Sequence, residues 1–397
     1  MKTIMKFIFG LAILSLACGS ITFAQLPPVT PPDSAAKAAA LGEPEGNPID
    51  QMVKFDSGSR WHLKVKAIDR FGLVITDASF QKSPTEPFIY VLFDGRLGEI
   101  FVPYHDSSAR YGDISDYTFH PLELDPNKFR APGRNVMPSS NNKICKEVRQ
   151  YLAWLHHEKV RYGQEVVYFS VLKAGNYDYI MEWTFRDDGA ILVRAGSTGP
   201  KIECAFESCG PDAKTKGHMH NFTWRLDIDL DGAGGDSAYL TRHVENFNPP
   251  PPLPLPGSTA KDKRFLISVE GGRVWDPQDF NTLVVEDSTL KNQNGTGRAT
   301  SYELVPMRSG NARHSEDFTK KDFWVTRYNS EQILANGLPS YVSGGQSTVN
   351  QDIVVWYTGS EHHENNSRDE DRNTVPVLWT GFELIPNNLF DGTPFYQ

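Results

Sequence analysis

Cysteine is scarce in this chain, with four among 397 residues. Cys18 falls in an N-terminal segment expected to be removed, which leaves Cys145, Cys204 and Cys209. Cys204 and Cys209 sit in "ECAFESCG", close enough for a small disulfide loop in an oxidising compartment. Free thiols are the alternative, and the spacing is not that of a zinc knuckle. A basic excess is also missing: 40 Lys and Arg face 49 Asp and Glu, a formal net charge of -9. With no long run of either sign, this argues against a nucleic-acid binder, which needs a surface that neutralises phosphates. There is no internal repeat and no obvious second domain boundary.

The longest apolar run belongs to the N-terminus. Lys2 and Lys6 flank the start of a stretch from Phe7 to Ala17, and Thr22-Phe23-Ala24 supplies small residues for cleavage before Gln25. Residues 1–24 thus read as a signal peptide and the mature protein as exported, to a periplasm or beyond. The run is too short for a permanent span. A lipoprotein signal through Cys18 is the weaker reading, because Ser15 stands where leucine is usual. Residues 25–54, rich in Pro, Ala and Glu toward their start, read as a flexible leader.

From Phe55 to Gln397 the chain shows short apolar runs broken by Gly, Asn and Asp, such as "RWHLKVKAI", "GLVITDASF", "FIYVLF", "EIFVPY" and "DIVVWYTG". Many short strands with turn signals between them predict an all-β protein, one large antiparallel β-sandwich with few short helices. "EVRQYLAWLHHEKV" is the one stretch whose local propensity favours helix. "NFNPPPPLPLPGSTAKDK" is a polyproline-type insertion that belongs in an exposed loop.

Residues 216–232 read "KGHMHNFTWRLDIDLDG". In a strand, side chains two apart share a face. His218 and His220 then lie with Phe222, Trp224, Leu226, Ile228 and Leu230, on the core side. Asn221, Thr223, Arg225, Asp227, Asp229 and Asp231 lie opposite. Two inward imidazoles are either core histidines with local partners or ligands converging on a metal. "GSEHHENN" offers His362 and His363 as a third ligand, while His105, His156 and His157 are other candidates. The aspartates are either a solvated face or, since stacked like charges repel, a site for a hard cation such as Ca²⁺.

Asn176-Tyr177-Asp178 in "LKAGNYDYIMEWTFRDDG" precedes that segment. Together with "EIFVPYHD", "RYGDISDY", "KKDFWVTRYNSEQ", "GLPSY" and "QDIVVWYTGSEHHE", in this order, it closely resembles the catalytic domain of the copper amine oxidases. The resemblance spans residues 55–397, and the family's small N-terminal domains have no counterpart before it. It implies the family's β-sandwich and Cu²⁺ held by His218, His220 and His363, with His362 the fallback. It also implies a topaquinone cofactor made from Tyr177, whose preceding neighbour is Asn176. Asp113 matches the catalytic base, Tyr111 a residue gating substrate entry, and Tyr104 the tyrosine that hydrogen-bonds the quinone. Asp227, the Ile228 carbonyl, Asp229, Asp352 and the Ile353 carbonyl match a peripheral calcium site.

The activity so implied is oxidation of a primary amine by O₂ to an aldehyde, ammonia and hydrogen peroxide, in a homodimer. An ordinary phenol has a pKa near 10 and does no redox work unaided, which is why the tyrosine needs copper beside it. Three departures stand out. Lys173 lies three residues before Asn176, where the family favours Thr or Ser. The connection from Tyr104 to Asp113 is short, and "ENNSRDED" replaces the family's run after the third histidine. They leave a copper-binding protein with an unmodified Tyr177 as the alternative. Asp106 and Asp116 compete with Asp113 for the role of base.

Overall fold

The computed structural model describes residues 47–104, 110–199, 217–244, 261–277, 280–292, 297–307, 314–363 and 375–390. The signal peptide, most of the leader, Cys204 and Cys209, the polyproline insertion through residue 260, His105 with Asp106, and "ENNSRDED" lie outside them.

Strands dominate. The first five are β1 (Ile49–Lys54), β2 (Arg60–Ile68), β3 (Gly72–Gln81), β4 (Ile89–Pro103) and β5 (Arg110–Gly112). Next come β6 (His120–Pro121), β7 (Arg134–Val136), β8 (Cys145–His156), β9 (Lys159–Ala174) and β10 (Tyr177–Arg186). They are followed by β11 (Ile191–Thr198), β12 (His218–Asp227), β13 (Asp236–Val244), β14 (Lys261–Leu266) and β15 (Gly271–Arg273). The last are β16 (Thr282–Lys291), β17 (Ala299–Pro306), β18 (Phe323–Arg327), β19 (Ile353–His363) and β20 (Leu378–Asn387).

Nine strands make one sheet in the order β1-β2-β3-β4-β12-β19-β18-β15, with β5 on the end of β4. Eleven make the other, β14-β13-β16-β17-β20-β11-β10-β9-β8-β7, with β6 beside β9. The inner faces meet through large rings that alternate along their strands. Trp61 of the first sheet lies 5.1 Å from Phe185 of the second, and Trp224 lies 5.3 Å from Phe382. Each such buried side chain contributes about 2–3 kcal/mol of transfer free energy. The antiparallel sandwich expected from the sequence is present.

Three local expectations are corrected. Residues 147–160 are not helical: they form the end of β8 and the start of β9, which turn at His157 and Glu158 with φ of 45° and 63°. Two left-handed residues suit a tight hairpin, and pairing along the β-rich β9 overrides local helix propensity. β1 lies inside the span read as leader, because it pairs with β2 from Ile49 onward. "FIYVLF" and "EIFVPY" belong to one long strand, β4.

The fourth difference concerns β12. Its non-histidine face is no solvated surface: Asn221, Thr223, Arg225 and Asp227 are fully buried. The segment after β17 covers that face, and Phe318, Trp324 and Leu338 pack there with Trp356 and Phe101. Arg225 donates to the Gln332 carbonyl at 3.1 Å and to Asp94 at 3.1 Å. Burial works against the Asp94 carboxylate, but Arg96 and Arg225 prevail and hold it below the usual carboxylate range.

Candidate metal centre and adjoining cavity

β12 and β19 run antiparallel in a register that sets His218 opposite His363. Alternation then turns His218, His220 and His363 inward, all buried, and leaves His362 exposed. The pleat thus brings His363, and not His362, into the cluster. One nitrogen from each of the three rings lies within 4.8 Å of the other two. His218 Nε2 and His220 Nε2 are 3.0 Å apart. Burial, then His218 and His363, depresses the pKa of His220 well below the ordinary value and keeps it neutral. Imidazoles with facing nitrogens are a donor set for a borderline transition ion. His156 and His157 lie at the tip of the β8–β9 hairpin, remote in the chain from this cluster.

Tyr177 comes from the opposite sheet. It opens β10 after the turn at Gly175, which has φ +62°, and Asn176. Its hydroxyl lies 3.0 Å from His218 Nε2 and 2.8 Å from His363 Nδ1. Gly199 lets the backbone behind it approach. A Cβ there would stand 2.3 Å from the Asn176 carbonyl oxygen and 3.0 Å from Tyr177 Cα. Tyr104 stacks on His218 with ring centroids 4.5 Å apart, and the two residues form a β-bridge. Lys173 is exposed and pairs across the hairpin with Asp178, so its cation points away from Tyr177.

Beside Tyr177 is a cavity of about 240 Å³, lined by residues that include Tyr104, Tyr111, Asp113, Asn176 and Tyr179. Tyr117 and Phe119 complete its aromatic wall. Asp113 is buried whereas Asp116 is exposed, which separates the two competing carboxylates. Burial, with Glu99 and Asp116 adding negative charge, pushes the Asp113 pKa up to about 7 against the opposing hydrogen bond from Tyr179. The Tyr179 hydroxyl donates to Asp113 Oδ2 at 2.7 Å, and its oxygen lies 3.2 Å from His220 Nδ1. A proton on Nδ1 would leave Nε2 as the ligand atom. In the sequence Tyr179 reads only as a core aromatic; its place two residues after Tyr177, on the same face, is the signal that could have found it.

At the far end of β12, Asp227, Asp229 and Asp352 bring carboxylate oxygens within 4.8 Å of one another. Ile228 and Ile353 are buried beside them. Asp236, absent from the sequence-derived set, is fully buried close by. Burial and the charges of Asp229, Asp287, Asp352 and Asp227 push its pKa well up. Clustered oxygens of this kind suit a hard cation. Cys145 is a buried free thiol whose pKa burial raises to about 11, which makes it inert.

Residues 140–397 match the family described as copper amine oxidase, enzyme domain. The copper-containing amine oxidase gamma 2 of Arabidopsis thaliana is 28% identical over 85% of this chain and 58% of its own length. A primary amine oxidase of Klebsiella aerogenes is 25% identical over 91% of this chain and 55% of its own. This chain therefore spans little more than half the length of these relatives. Among solved structures, a copper-containing benzylamine oxidase from Hansenula polymorpha superposes with a TM-score of 0.67 at 17% identity. It covers 89% of this chain and 64% of its own. At that identity the likeness is one of fold.

Proposed function

This chain belongs to the copper amine oxidase family, and from that premise we propose that it is an exported, copper- and topaquinone-dependent primary-amine oxidase. The observation that carries the reading is the Tyr177 hydroxyl lying between His218 and His363, at the floor of a cavity that also holds Asp113.

His218, His220 and His363 would hold Cu²⁺ next to the Tyr177 hydroxyl. Copper, when bound, would supply the redox chemistry for oxygenation of the Tyr177 ring by O₂ to topaquinone, which would supply the carbonyl that takes the amine. The remaining work falls to side chains of this chain. Tyr104, packed on His218 and lining the same cavity as Tyr177, would donate a hydrogen bond to the quinone oxygen. Asp113 takes the proton from the substrate carbon next to nitrogen, and a proton affinity near neutrality lets it accept and return that proton at working pH. Tyr111, Tyr117 and Phe119 form an apolar approach that strips water from the amine's side chain. One amine, one O₂ and one water then give an aldehyde, ammonia and hydrogen peroxide.

The same proposal includes a divalent cation such as Ca²⁺ at Asp227, Asp229 and Asp352, with the Ile228 and Ile353 carbonyls. It also includes a homodimer, in which the exposed Leu152, Leu155, Val160 and Tyr162 of the β8–β9 hairpin would be covered. The domain would run from β1 at Ile49 to residue 397, after a cleaved signal peptide and a leader shortened by that strand.

The test is reconstitution of the metal-free chain with Cu²⁺ under air, followed by the mass of the Tyr177 peptide. Topaquinone adds two oxygens and removes two hydrogens, and phenylhydrazine colours it. An unmodified peptide after full copper loading would leave a copper-binding protein without oxidase activity.

A further inference from the structure

Glu99 lies in β4, almost fully buried, behind the turn that carries Asp113. Its Oε1 accepts three main-chain N–H groups: Ile100 at 2.9 Å, Ile114 at 3.0 Å and Ser115 at 3.3 Å. Two of those amides belong to the residues immediately after Asp113. The Asp113 amide itself donates to the Ile100 carbonyl at 2.8 Å. From the other side, Arg70 donates through Nη2 to the Ser115 carbonyl at 2.6 Å and through Nε to the Ile114 carbonyl. The turn is therefore clamped twice, its amides by a carboxylate and its carbonyls by a guanidinium.

Such a clamp exceeds what a surface turn requires. Burying a carboxylate is costly, and three amide donors on one oxygen are the arrangement that stabilises its charged form. Burial raises the Glu99 pKa, while the Ser115 side chain and then those amides oppose the rise. The Glu99 Oε2 has no hydrogen-bond partner among the described residues. It faces Gly112, where a Cβ would stand 3.3 Å away.

We propose that Glu99 is a positioning residue for Asp113: it fixes the turn that presents the Asp113 carboxyl to the cavity, and it places a second negative charge behind that carboxyl. The inference rests on Asp113 acting as the base. Other groups facing Asp113 are Tyr179 from β10, which donates to it, Asp116 in its own turn, Arg70 at the turn's carbonyls, and His220 through Tyr179. Asp116 also carries a like charge and accepts the Gly112 amide at 3.1 Å, but it is exposed, whereas Glu99 is buried and holds the two amides that follow Asp113.

The test compares the full-length chain with its Glu99→Gln and Glu99→Ala variants. Aspartate labelled with ¹³C at Cγ, assigned by the signal lost in Asp113→Asn, reports the Asp113 midpoint in the copper-free chain. This readout does not depend on quinone formation. Glutamine keeps an acceptor oxygen but not the charge, so the Asp113 midpoint should fall by roughly half a unit or more. In the copper-loaded variant the acid limb of kcat/KM should move down by the same amount. Glu99→Ala, which frees the amides, should lower kcat about tenfold or more with phenylhydrazine-reactive quinone unchanged. An Asp113 midpoint that does not move in Glu99→Gln overturns the proposal, even if Glu99→Ala fails to fold. If the midpoint moves but no quinone forms in the parent chain, the oxidase reading fails and the link between Glu99 and Asp113 stands.

Discussion

The Tyr177 hydroxyl, from one sheet, lies 2.8 Å from Nδ1 of His363, from the other. The two residues are 186 positions apart in the chain, so this contact depends on the whole sandwich. A distortion of the backbone beneath Tyr177 should therefore be felt at the metal centre.

Gly199 is the sensitive point. A Cβ at φ +145° would meet the Asn176 carbonyl oxygen at 2.3 Å. Gly199→Ala should cost about 1–3 kcal/mol through strain and displacement. Quinone yield per copper, read by phenylhydrazine, should fall by more than half. A variant with parental stability and full quinone yield would show that the close approach is unimportant.

Asp113→Asn should still form quinone, because the residue contacts Tyr179 rather than the imidazoles. Turnover of amine should drop by about 10²–10⁴, the usual contribution of a general base. The parent chain gives the sign of the pH effect. With its pKa raised to about 7, Asp113 is protonated below that pH and, on the proposed function, cannot then act as the base, so kcat/KM should climb as pH rises through about 7. In Asp113→Asn that limb should vanish; an unchanged limb would assign it to another group.

Lys173→Ala tests the most conspicuous departure from the family pattern. The side chain is exposed and faces Asp178 across the hairpin. Quinone yield should match the parent's, with a stability change within about 0.5 kcal/mol. A clear gain or loss of quinone would place the Lys173 cation closer to Tyr177 than the hairpin geometry does.

Removal of a hard cation should loosen the end of β12. At a free ion concentration of about 100 times Kd, a bound ion stabilises by about 2.7 kcal/mol. EGTA, with copper content verified, should lower Tm by several degrees, and Asp229→Asn should abolish that response. Identical melting with Ca²⁺ and with EGTA would mean that Asp227, Asp229 and Asp352 are satisfied without an ion.

Much of this was legible in one dimension because strands write their faces with period two. β2 coincides with "RWHLKVKAI", and the inward set His218, His220, Phe222 and Trp224 follows directly from alternation. The errors arise where a third body intervenes. Arg225 and Asp227 look solvent-facing until the segment that follows β17 folds over them. "EVRQYLAWLHHEKV" looks helical until β9 offers a partner along its length. His362 and His363 cannot be told apart until β19 takes its register against β12. Glu99 gives no local sign, because two of its partners are main-chain amides 15 and 16 residues further along the chain.

The division of the site between two sheets has a consequence for timing. β12 and β19 can bring three imidazoles together as soon as their own sheet forms, yet Tyr177 reaches them only when the second sheet has docked. Partly assembled chains would bind the metal without Tyr177 in range. On the proposed function, oxidation of Tyr177 thus acts as a proofreading step: a chain becomes an enzyme only after its halves have closed correctly, and the colour of the quinone is a permanent record that they did.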